Sequence, residues 1–116
     1  TLLDTHITAP GGDGGSIASL GPSSPTASFC QSDIFSTYLR SATSWCSSEP
    51  GYEAISGTSM AAPHASGVAG LLAAKGLTNQ QITDCLLRTG DDLGVPGRDP
   101  VYGYGRVNAL RAVSSC

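Results

Sequence analysis

Between Ala61 and Ala74 the chain reads AAPHASGVAGLLAA, a stretch of helical length with almost no polar face. A helix that is apolar all round is stable only where other elements cover it on every side. Gly67 and Gly70 lie inside it. Each costs about 1 kcal/mol of helix propensity relative to alanine, which makes sense where another backbone comes close. The expectation is a helix from about Thr58 to Lys75, stopped by Gly76 and buried on all sides. That cover needs strands and helices, and the remaining ~100 residues are rich in loops and thin for the task. The chain therefore reads as a piece of a larger core.

The flanking signals are shorter. Residues 1–9, TLLDTHITA, alternate as a strand does and close on Ala9-Pro10-Gly11-Gly12. A Gly, Ser and Pro-rich loop occupies 11–33, followed by a short strand over Ile34 to Leu39. A Ser-rich connector ending in Glu49-Pro50-Gly51 leads to a second short strand, YEAIS. Thr78 with Gln81 three residues on forms a capping box for a helix to about Arg88, ended by Gly90. Ile82, Cys85, Leu86 and Thr89 supply its apolar stripe. Residues 91–105 read as turns with one short extended piece, in which Asp91-Asp92 are expected to be solvated surface and Tyr102 and Tyr104 to pack on the core, and Asn108 caps a last helix over ALRAV. No internal repeat is present, and the class is mixed α and β.

Composition removes several functions. Six Lys and Arg against nine Asp and Glu give a net charge of −3, which leaves no basic field for a nucleic-acid backbone. With 13% charged and 40% apolar residues the chain is not a solvated disordered polymer. No segment approaches the ~20 apolar residues of a membrane span. Thr1 is preceded by neither an initiator Met nor a basic-then-apolar leader, and reads as a processed end. Four cysteines, Cys30, Cys46, Cys85 and Cys116, allow three complete pairings. None forms a C-x-x-C pair, and His6 and His64 lack zinc-finger spacing, so no structural zinc is expected. The even count, with abundant Ser, Thr and Gly, points to an oxidising, extracytoplasmic compartment. Cys30–Cys46 and Cys85–Cys116 is the favoured pairing, with free buried thiols or a link to a second chain as the alternatives.

The chemistry concentrates in Ser56-Gly57-Thr58-Ser59-Met60-Ala61-Ala62-Pro63-His64-Ala65-Ser66-Gly67. A short strand ends, Gly57 turns the chain, and Ser59 falls in the opening turn of the apolar helix. Pro63 is tolerated near that N-terminus, where backbone N–H groups lack partners. Those N–H groups and the positive end of the helix dipole form an anion-stabilising site beside the Ser59 hydroxyl. Acyl transfer needs that combination of nucleophile and oxyanion donors. On local physics alone, Thr58 or Ser59 serving as a plain N-cap is the favoured reading.

GTSMAAPHASG resembles the nucleophile motif of the subtilisin-like serine proteases, the subtilases. Ala9-Pro10-Gly11-Gly12, Ile34-Phe35-Ser36-Thr37, GVAGLLAA and Tyr102-Gly103-Tyr104-Gly105-Arg106-Val107-Asn108-Ala109 resemble further landmarks of that family, in its order. Ala65 stands where the family usually has Val. The resemblance implies an α/β fold: the C-terminal portion of a three-layer subtilisin-like domain with a mostly parallel sheet, completed by a missing N-terminal portion. Residues 1–116 would be that segment, with 13–33 and 40–50 as loop insertions. It implies Ser59 as the nucleophile that forms an acyl-enzyme, its own N–H as an oxyanion donor, and the Thr58 hydroxyl as support. Gly57 leaves room for substrate, and Ala54, Ile55 and Ser56 line the leaving-group side of the cleft. His64 is not the base: five residues along a helix is ~140° from Ser59 around the axis, and a buried structural role is expected. Met60, beside the nucleophile, implies sensitivity to oxidants.

In this family the triad follows the chain order Asp, His, Ser. The residues before Ser59 contain no Asn and a single His, His6. Asp4 and His6 share a strand face, but the strand leading into Ala-Pro-Gly is not where the family holds its base. The resemblance therefore implies that Asp, His and an oxyanion Asn lie on a separate N-terminal chain of a secreted, internally cleaved protease. That chain and a peptide or protein substrate are the expected partners, with this chain inactive alone. No cofactor is expected on this chain; Asp13 in GGDGG reads as a turn, with a cation ligand as the alternative, and the resemblance allows structural calcium elsewhere in the complete domain. The alternatives are an inactive subtilase fragment or a disulfide-stapled extracellular binding module.

Overall fold

The protein is described by a computed structural model over residues 6–12, 33–39 and 51–116. Five elements follow in order: β1 (Ile34–Thr37), β2 (Tyr52–Ile55), α1 (Thr58–Ala74), α2 (Asn79–Thr89) and α3 (Ala109–Ser115). Thr1–Pro10 with Ala61–Cys116 form one compact unit and Gly11–Met60 another.

In the unit of Gly11–Met60, β1 and β2 pair antiparallel, with Ile34 opposite Ile55 and Thr37 opposite Tyr52. Pairing and alternation put Phe35 and Tyr52 on the same face as the buried Ala54, and their rings stack with centroids 5.5 Å apart. β2 then passes through Ser56 and Gly57 into α1.

In the other unit, α2 starts where its capping box predicts. The Gln81 N–H donates to the Thr78 hydroxyl (3.4 Å), and the Thr78 N–H donates to the Gln81 side-chain oxygen (2.8 Å). The Asn108 side chain likewise accepts from the Arg111 N–H at 2.8 Å and starts α3. Val68 and Leu72, four residues apart and so on one face of α1, pack with Cys85 of α2 and Ala112 of α3. Leu77, Ile82, Leu86, Val107 and Cys116 border this core. A disulfide joins Cys85 to Cys116, tying the end of α3 to α2. Cys30 and Cys46 lie outside the described residues.

The mostly parallel sheet expected of the complete fold is represented among the described residues by one bridge. Thr8 and Arg106 pair in parallel, with the Thr8 N–H on the Gly105 carbonyl (2.9 Å) and the Val107 N–H on the Thr8 carbonyl (2.8 Å). The single named sheet, β1–β2, is antiparallel. Gly105 has φ +103°, and a Cβ there would overlap the Asp91 carbonyl, so only glycine lets the Asp91–Arg106 bridge close.

Among the described residues α1 is covered on one face: Val68 and Leu72 are buried, while Leu71 is 53% exposed, and the cover expected on its other sides was that of the complete domain. Gly67 and Gly70 have no described atom within 4 Å of an added Cβ. Tyr102 and Tyr104 do not pack into the core; both rings are part-exposed, and Arg98 lies 5.9 Å from the Tyr104 ring centre. Asp91 is not a solvated surface charge. Its carboxylate accepts from the Asn108 amide (2.9 Å) and pairs with Arg111 (3.0 Å) and Arg106 (3.4 Å). His64, for which a buried role was expected, is exposed on α1 among the described residues.

Candidate active site

β2 delivers the chain to Gly57, which adopts φ +147°. Its N–H donates to the Gly11 carbonyl at 2.7 Å, and its carbonyl accepts from the Met60 N–H at 3.0 Å, closing the first turn of α1. A side chain at Gly57 would sit 3.9 Å from the Met60 sulfur and 4.0 Å from the Ser59 nitrogen. Glycine there leaves space directly above the first backbone N–H groups of the helix.

Thr58 and Ser59 are the first two residues of α1, and both are exposed. An N–H in the first turn has no carbonyl four residues back within the helix, so the Ser59 N–H can donate outward. The helix dipole puts partial positive charge at the same place. Pro63 lies inside α1, and its missing N–H removes the bond that the Ser59 carbonyl would otherwise accept. Ala54 is buried, and Ile55 and Ser56 are half-buried along the strand leading in. Gly57, Thr58 and Ser59 thus share one turn, approached by Ala54, Ile55 and Ser56.

His6 is exposed, and its backbone carbonyl accepts from the Tyr104 N–H at 2.8 Å. Asp4 and Asp13 lie outside the described residues. Among the described residues there is no group of three or more His, Cys, Asp or Glu that could hold a metal ion. No helix among the described residues is long and apolar enough to cross a membrane.

Sequence reasoning missed Asp99. It is buried, and one carboxylate oxygen accepts from the N–H groups of Val101 (2.7 Å) and Tyr102 (2.8 Å), which folds the turn ahead of Gly103. The cue was present in Asp99-Pro100, a turn-initiating pair.

The model of the subtilase family matches residues 2–105. The chain belongs to the subtilase family. An extracellular serine protease of Serratia marcescens is 41% identical over 108 residues, covering 77% of this chain and 10% of that protein. Thermitase of Thermoactinomyces vulgaris is 41% identical over 80 residues, covering 69% of this chain and 25% of thermitase. Among solved structures, a lanthipeptide protease superposes with a TM-score of 0.73 at 28% identity, over 96% of this chain and 36% of that one. The fold is thus a partial α/β subtilisin fold, and this subtilase chain spans a minor share of each relative's length.

Proposed function

We propose that this chain supplies the nucleophile of a secreted serine endopeptidase. Ser59 Oγ attacks the carbonyl carbon of a peptide bond and passes its proton to an imidazole. The carbonyl oxygen, now an oxyanion, accepts from the Ser59 N–H, and the Thr58 hydroxyl supports it. On collapse the imidazolium returns that proton to the nitrogen of the leaving segment, which departs as an amine, and water then hydrolyses the acyl-enzyme. The observation that carries this reading is the exposed Ser59 in the first turn of α1, directly after the left-handed Gly57. Oxyanion stabilisation at such a turn is worth several kcal/mol because the donors are fixed before charge develops.

The Asp, the His and the Asn oxyanion donor are carried by a separate N-terminal chain of the same protease. Two features support this. The residues before Ser59 lack Asn and hold one His, and α1 presents Leu71 and two uncovered glycines to solvent. Extensive apolar burial is what an obligate interface between two parts of one core provides. By the same reading residues 1–116 are a C-terminal segment of the catalytic domain, with 13–33 and 40–50 as insertions, and are inactive alone. Secretion is supported by the extracellular relative and by the disulfide.

The test is labelling by a serine-directed phosphonate. The chain combined with its N-terminal complement is expected to take up the label at Ser59 and to hydrolyse peptides. Ser59→Ala should abolish labelling and lower kcat by about 10⁶, the loss found for the nucleophile in subtilisin, a member of this family. An unlabelled complex, or an active Ser59→Ala variant, would overturn the reading.

A further inference from the structure

The Cys85–Cys116 disulfide has two unlike ends. Cys85 is 2% exposed and sits in a cluster whose members, Val68, Leu72 and Ala112, are all apolar. Cys116 is half-buried at the border of that cluster, and the Arg88 guanidinium lies 3.3 Å from its sulfur. We propose that external thiols can attack this disulfide only at Cys116, and that this polarity turns the bridge into a redox-resistant lock on α3.

In thiol–disulfide exchange a thiolate bonds to one sulfur, the S–S bond breaks, and its electron pair leaves on the other sulfur. Attack at Cys85 would release the Cys116 thiolate beside Arg88, a favourable leaving group because the cation stabilises it. Burial of the Cys85 sulfur closes that route. Attack at Cys116 is open, and Arg88 draws an incoming anion toward it. There the bond forms between the external sulfur and Cys116, and Cys85 must leave as a thiolate inside an apolar cluster. Desolvation disfavours that anion, so the departing group is poor. It also stays next to the new mixed disulfide and expels the external thiol again. The reachable sulfur has the poor leaving group, and the good leaving group lies behind the sulfur that cannot be reached. Net reduction therefore waits for α3 to come away from α2, which exposes Cys85.

The protease in its native, complete form is incubated with millimolar glutathione, quenched with acid, alkylated and mapped by peptide mass. The expected adduct is on Cys116, transient and scarce, with net reduction slower by about 100-fold or more than in the urea-unfolded protein, because it follows opening. Adducts on Cys85, or reduction equally fast folded and unfolded, would overturn the proposal. Slow reduction with no adduct on either sulfur would also overturn it, since neither end would then be reachable. Leu72→Ala, which thins the cover over Cys85, should move adducts onto Cys85 where the variant folds; adducts confined to Cys116 in that folded variant would count against the argument.

Discussion

Asp91 shows how one carboxylate can gather three side chains, those of Arg106, Asn108 and Arg111. Its strongest partner is the Asn108 amide, with Arg106 and Arg111 adding charge, and together these lower its pKa below the ordinary aspartate value. A carboxylate whose pKa is lower in the folded chain stabilises the fold above the ordinary aspartate range, and that contribution is lost as pH falls through the folded value. Acid titration of thermal stability should therefore show a fall on the acid side of the ordinary aspartate pKa that Asp91→Asn lacks. The charge part is partly screened by solvent, so the difference should shrink in high salt. Asp99 works differently. Its turn depends on one oxygen accepting two backbone N–H groups. Asp99→Asn keeps such an oxygen, whereas Asp99→Ala strands both donors and should destabilise by about 1–3 kcal/mol in a urea melt.

At the scale of elements, what could be read in advance was whatever a few neighbouring residues decide. Thr78 and Gln81 define the start of α2 through a reciprocal pair of hydrogen bonds three residues apart, and Asn108 starts α3 in the same manner. Gly76 with φ +86° follows the end of α1. Thr78→Ala removes the cap and should cost about 1 kcal/mol in stability, read by chemical denaturation, with little change of fold. The place of Ser59 in the first turn of α1 was legible for the same reason, because a strand end, a glycine and a helix start sit within a few residues. The features not legible in this way depend on what surrounds them in the fold. The Asp91 clamp reaches residues 15 and 17 positions away. Tyr102 and Tyr104 looked like core residues by type, but alternation with Gly103 and Gly105 in a turn-rich segment leaves their rings at the surface. The outer face of α1 was expected inside because the helix is apolar almost all round, and within the described residues nothing packs on it.

For the whole molecule, α1 is the element that does not balance. Its inner stripe, Val68 and Leu72, is served by α2 and α3, while Leu71, Gly67 and Gly70 face no described cover. The proposed assembly predicts a reversal of sign at Gly67. In the chain alone, Gly67→Ala should raise thermal stability by up to about 1 kcal/mol, since alanine favours helix and the added methyl meets open space. With the N-terminal chain present, the same methyl should weaken co-purification and lower activity, because it stands where a second backbone must come close. Enhanced or unchanged assembly would remove this face from the proposed interface.

The same open helix face bears on how substitutions in this protein are to be weighed. Judged by exposure in the chain, positions 67, 70 and 71 would rank among those freest to drift. If they are a contact face awaiting its other half, their tolerance to change should be among the lowest, and a variant harmless to folding could still silence the protease.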